Sequence, residues 1–121
     1  MKKLLMTLAI LAIAAPAVAS DAVLLGVLDG PLGGGTPKFI EVFVCNDVAD
    51  MSIYAIGVAN NGGGSDGPEF YFDAGPVAAG TSIFVASEDV EFQNFMGFAP
   101  DYVNRIALIN GDDAVELLNA A

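Results

Sequence analysis

Lys38-Phe39-Ile40-Glu41-Val42-Phe43-Val44-Cys45 is the stretch on which the fold turns. In an extended chain Ile40, Val42 and Val44 share one face, and Phe39, Glu41, Phe43 and Cys45 share the other. Both faces are largely apolar, which places the strand inside a sandwich or at the centre of a sheet. Asn46-Asp47 ends it. Cys45 reads as a small hydrophobe buried in that strand. It is the sole cysteine, so no internal disulfide can form and the domain must stand on its apolar core.

Similar segments lie on both sides. Ala22–Leu28 is an apolar run closed by Asp29-Gly30-Pro31 and Gly33-Gly34-Gly35. Met51–Ala59 carries Tyr54, Ile56 and Val58 at period two, and Gly57 inside it marks a bulge or a close backbone approach. Residues 60–68 form a Gly-rich loop. Glu69–Phe72 and Thr81–Ala86 read as short strands. From Ser87 the period changes to that of a helix near residues 88–96: Ser87 would cap it, Glu88 and Asp89 would sit in its first turn, and Phe92, Phe95 and Met96 would face the core. Arg105–Ile109 and Ala114–Leu118 read as a final strand pair across Asn110-Gly111-Asp112-Asp113, since Asn-Gly between apolar runs is a strong hairpin signal. Short strands at regular spacing with Gly-rich turns predict an all-β sandwich or barrel. The sequence stops three residues after its last predicted strand, so the expectation includes a sandwich short of its last strands.

The first 19 residues read differently. Lys2 and Lys3 precede an unbroken apolar run, Leu4 to Ala15, then Pro16 and Ala17-Val18-Ala19-Ser20. A basic start, an apolar middle and an A-x-A ending make a secretory signal peptide, cleaved between Ala19 and Ser20. The run is shorter than the roughly 20 residues a membrane-spanning helix needs, so no stable membrane anchor is expected after cleavage. This places residues 20–121, a single domain, in the periplasm or outside the cell. Two lysines and a short apolar middle look bacterial.

Cleavage would leave Lys38 and Arg105 as the basic residues against 15 acidic ones. A nucleic-acid surface needs clustered Lys and Arg, so the charge argues against one, and it argues against docking on anionic lipid. The acidity fits solubility in a saline medium, divalent-cation binding or a cationic partner.

Three stretches, taken together, resemble a known family. Lys38-Phe39-Ile40-Glu41-Val42, then Asp50-Met51-Ser52-Ile53-Tyr54, then Asn110-Gly111-Asp112-Asp113-Ala114-Val115-Glu116-Leu117 are similar, in that order, to the "fIEl" strand, "dLS-y" turn and "NGDDAveL" hairpin of the lamin-tail-like domain of bacterial secreted proteins. The likeness covers Ala22 to Leu118. Met51 stands where the family usually has Leu, and family members usually continue past the "AveL" strand. The resemblance implies an immunoglobulin-like β-sandwich and a non-catalytic interaction or structural module at or outside the cell envelope, with an unknown protein or envelope partner. Such modules also occur beside extracellular nuclease and phosphatase-type domains. The rival expectation is therefore an accessory piece of such a system, or a truncated remnant of one.

The available chemistry is narrow. The sequence contains no histidine, which removes Ser-His-Asp and Cys-His nucleophile arrangements and His-based zinc or iron sites. Gly62-Gly63-Gly64 lacks the Gly-Lys-Ser/Thr ending of a phosphate loop. No catalytic residue is assigned and no cofactor is required. Calcium is the one metal the carboxylates could serve: Asn110, Asp112 and Asp113 in one turn could supply oxygens, with Asp29 or Asp66 from other loops. No Asp-x-Asp-x-Asp-Gly loop is present, and the same residues equally make a plain turn, in which Asp bonds its own backbone. Tyr54, Phe70, Tyr71 and Phe72 could stack on a carbohydrate, but their alternation fits core packing.

Overall fold

The computed structural model describes residues 20–120. The expected helix-poor, two-layer architecture is present. Seven strands, β1 (Ala22–Asp29), β2 (Lys38–Val44), β3 (Tyr54–Ala59), β4 (Phe70–Tyr71), β5 (Ser82–Ala86), β6 (Tyr102–Val103) and β7 (Ala114–Asn119), are joined by one helix, α1 (Val90–Met96). They form a four-stranded sheet in the order β1-β2-β5-β6 and a three-stranded sheet in the order β4-β3-β7. All pairings are antiparallel except β5 with β6.

Period-two alternation builds the core between the sheets. Ile40, Val42 and Val44 of β2 face Tyr54, Ile56 and Val58 of β3, with Ile83 and Val85 of β5 beside them, all buried. Each such aliphatic side chain contributes about 1.5–3 kcal/mol when fully withdrawn from water. The other face of β2 is covered as well. There Phe39 packs edge-on against Phe84 and Phe92, and Leu28 and Met96 close the cluster. This is why both faces of the decisive stretch are apolar.

β1 serves both cores by means of a bulge. Leu24 pairs with Val42 and Gly26 with Glu41, leaving Leu25 as the extra residue. The insertion reverses the facing of the later β1 residues. Ala22 and Leu24 point into the sandwich, and Leu28 points outward onto Phe39.

Several local expectations are corrected. Residues 51–53 and 105–107 are 3-10 turns rather than strand, each begun by a side-chain cap: Asp50 accepts from Ser52 N, and Asn104 accepts from Ile106 N. No hairpin forms across residues 110–113, because β7 crosses to the other sheet and pairs along its whole length with β3. The helix begins at Val90, with Asp89 at its N-cap and Glu91 in its first turn. Ser87 does not cap it; the Ser87 amide bonds the Lys38 carbonyl and Glu88 Oε1 accepts from Lys38 N, which extends the β2–β5 ladder. Phe92 is fully buried, but Phe95 is half exposed; a helix this short seats only one row of side chains on the sheet. Gly97 ends it at φ 82, the left-handed conformation that closes many helices.

Cys45 is exposed, not buried. It lies one residue past β2, where the chain turns to bond the Asp21 carbonyl. Gly57 marks a close approach and no bulge. A Cβ there would lie 2.5 Å from the Gly67 carbonyl oxygen, since the Gly-rich loop crosses the outer face of β3.

Candidate functional site

The acidic turn singled out in the sequence is tied down by its own backbone. Asp113 Oδ2 accepts from Asn110 N at 2.7 Å, and Asp113 Oδ1 accepts from Asn61 N at 2.8 Å, across to the Gly-rich loop. These amide donors, that of Asn61 first, hold the Asp113 carboxyl below its ordinary value. The site thus gives Asp113 hydrogen-bond donors, which is what an Asx turn needs. Asp112 is exposed beside it. Asp29 lies elsewhere, ion-paired with Lys38, and Asp66 is exposed in the Gly-rich loop. Among the described residues no three acidic or cysteine side chains gather in a group that could hold a metal ion.

The aromatic residues also separate. Tyr54 and Phe72 are buried, and Phe70 packs edge-on to both Phe72 and Tyr102, closing the β4–β6 side of the sandwich. Tyr71 alone points outward. Of the proposed cleavage residues, Ser20 is exposed at the start of the described chain, and Ala19, like the rest of residues 1–19, lies outside the described residues.

Lys38 shows what the fold does with one of its cations. It is the inner-face residue at the start of β2 and is 8% exposed. Its ammonium pairs with Asp29 and donates to the Ile109 carbonyl at 2.6 Å. It is therefore spent on structure, while Arg105 remains exposed.

Among the described residues, no strand bridges the opposite side of the sandwich. β1 and β7 each form one edge of their sheets, β6 and β4 forming the other edges, and between β1 and β7 lies a cleft of about 440 Å³. Its walls are Ala22, Val23 and Leu24 from β1 and Leu117 and Asn119 from β7, with Tyr54 in its lining and Ser20 and Asp21 at the β1 end. Parity fixes which β7 groups face it. On β3, Ile56 O accepts from Glu69 N and Tyr54 O from Phe72 N, so these residues turn their main chain toward β4. Ile53 O accepts from Ala120 N, so the alternate residues turn toward β7. Given the register Gly57↔Glu116 and Ala55↔Leu118, Glu116 and Leu118 bond β3, and the N–H and C=O of Val115 and Leu117 point outward. Glu116 sits on the outer face of β7, and its Oε2 is buried without a hydrogen-bond partner. The sequence carried no signal for this cleft, because it arises from strand order and not from a motif.

Among the described residues no helix is long and apolar enough to cross a membrane. Comparison with family models, with curated protein sequences and with solved structures returns no match for this chain.

Proposed function

We propose that this chain is an exported, non-catalytic interaction module of the lamin-tail-like type, working in the periplasm or outside the cell after cleavage between Ala19 and Ser20. The observation that carries this reading is the open side of the sandwich. One flank is closed by the Phe70, Phe72 and Tyr102 rings, and the other presents the outward main-chain groups of Val115 and Leu117 beside a largely apolar cleft. Exposed sheet edges are usually blunted or covered, so one kept open beside a recess is a surface for contact. The absence of histidine from the sequence supports a non-catalytic role, and the Lys2-Lys3 start with its apolar run supports export.

The test is to express the full chain in a bacterial host, isolate it from the periplasm and medium, sequence its N-terminus, and assay it against DNA and a phosphomonoester. The reading expects a mature form beginning at Ser20 and no hydrolysis. A form retained in the cytoplasm with residues 1–19 intact, or metal-supported hydrolysis at enzymatic rates, would overturn it.

A further inference from the structure

We propose that the β1–β7 cleft receives one extended, lysine- or arginine-rich polypeptide strand from a partner protein, which pairs with the outer edge of β7. This rests on the interaction-module reading and names the partner's chemistry.

Three observations converge. The outward N–H and C=O groups of Val115 and Leu117 form a template for one more antiparallel or parallel strand. The inner-face side chains of such a strand would fall over the apolar cleft, against Leu24, Tyr54 and Leu117. On the outer face, the residue opposite Glu116 would lie within cross-strand reach, about 4.5–5.5 Å between Cβ atoms. Glu116 is a partly buried carboxylate whose Oε2 lacks a donor, and a lysine or arginine opposite it would pair with that charge. Asp21 adds a second carboxylate at the β1 end of the cleft.

Charge also decides against the simplest alternative, a second copy of this chain. The described residues hold 15 acids, with Lys38 buried in an ion pair and Arg105, on the 105–107 turn, outside the lining of the cleft. Two such surfaces repel, whereas a basic strand is attracted. The expected ligand alternates apolar and basic residues: apolar toward the cleft, basic toward Glu116.

The experiment uses the protein as isolated from the expressed full chain and a short synthetic peptide alternating valine with lysine. Its controls are the same peptide with glutamate for lysine, and one N-methylated at alternate residues so that its donors to β7 are lost. Binding is followed by fluorescence anisotropy and by amide chemical shifts. The proposal expects saturable binding of the lysine peptide that weakens with salt, with the largest shifts at Val115 and Leu117. It expects little binding of either control. Asp21→Lys with Glu116→Lys should weaken the lysine peptide by about tenfold or more while leaving the circular dichroism unchanged. Glu116→Gln, which keeps the side chain's shape, should weaken it by a smaller factor. Equal binding of the glutamate or N-methylated peptide would overturn the proposal. So would an unchanged affinity in both variants, or dimers of the free protein paired through β7. No binding by a folded, exported, hydrolytically silent protein would remove the strand proposal and leave the module reading standing; hydrolysis would remove the module reading itself.

Discussion

Lys38 and Asp29 illustrate how a single pair can hold two elements. Asp29 ends β1 and its side chain is 40% exposed, whereas that of Lys38 is 10% exposed and also donates to the Ile109 carbonyl. Removing Asp29 leaves an ammonium with little water and no counter-charge; removing Lys38 leaves a carbonyl with no donor. Asp29→Ala and Lys38→Met should each cost about 1–3 kcal/mol in urea unfolding. A loss below a few tenths in both would contradict the buried placement. Gly57 makes a sharper steric test. Gly57→Ala drives a methyl into the Gly67 carbonyl, while Gly26→Ala meets nothing within 4 Å. The first should destabilise by about 1–3 kcal/mol and the second by less than about 1 kcal/mol, by the same urea assay.

The same scale sets the acid limb of stability. Asp113 is held low by the Asn61 and then the Asn110 amide, and Asp50 by the Ser52 hydroxyl and then the Gly75 amide. A carboxyl whose folded pKa lies below its unfolded value stabilises the fold above the unfolded value and loses that contribution as pH falls through the folded one. Stability should therefore fall below about pH 4. Asp113→Asn combined with Asp50→Asn should be less stable at neutral pH and flatter on acidification. Because both Asp113 oxygens already accept amide hydrogens, thermal melts in excess calcium and in chelator should coincide. A rise in melting temperature with calcium would restore the metal reading of Asn110, Asp112 and Asp113.

Among elements, α1 separates what periodicity can say from what it cannot. The i, i+3, i+4 spacing of Phe92, Phe95 and Met96 located the helix. A short helix lying on a sheet is anchored by the one row that meets Phe39 and Phe84, however, and Phe95 falls outside it. Phe92→Ala should cost about 3–5 kcal/mol and Phe95→Ala less than about 1 kcal/mol. Equal costs would mean the helix is rotated on the sheet. β1, β2, β3 and β5 were legible because period two with strong apolar content leaves few other readings. The pairing of β7 was not. Asn-Gly speaks only for the local turn, and the partner of the next strand is chosen by the long-range contact between β7 and β3. The β1 bulge escaped for the same reason, since an extra Leu in an apolar run leaves no mark on the sequence.

At the scale of the whole molecule, a strongly acidic surface meets a core that has no disulfide to support it. Repulsion among exposed carboxylates falls as salt screens them. The melting temperature of the protein should therefore rise with added sodium chloride from low ionic strength, and a fall would imply that its ion pairs outweigh its repulsion. The cleft between β1 and β7 also belongs to this scale. No residue pattern announced it, and it exists because two strands far apart in sequence end as edges on the same side.

Amide hydrogen exchange along β7 tests that arrangement most directly. In the free protein Glu116 and Leu118 should be protected and Val115 and Leu117 should exchange fast; adding the valine–lysine peptide should protect the latter pair as well. Slow exchange at Val115 and Leu117 in the free protein, or no gain in protection with the peptide, would contradict an edge left open for a partner strand.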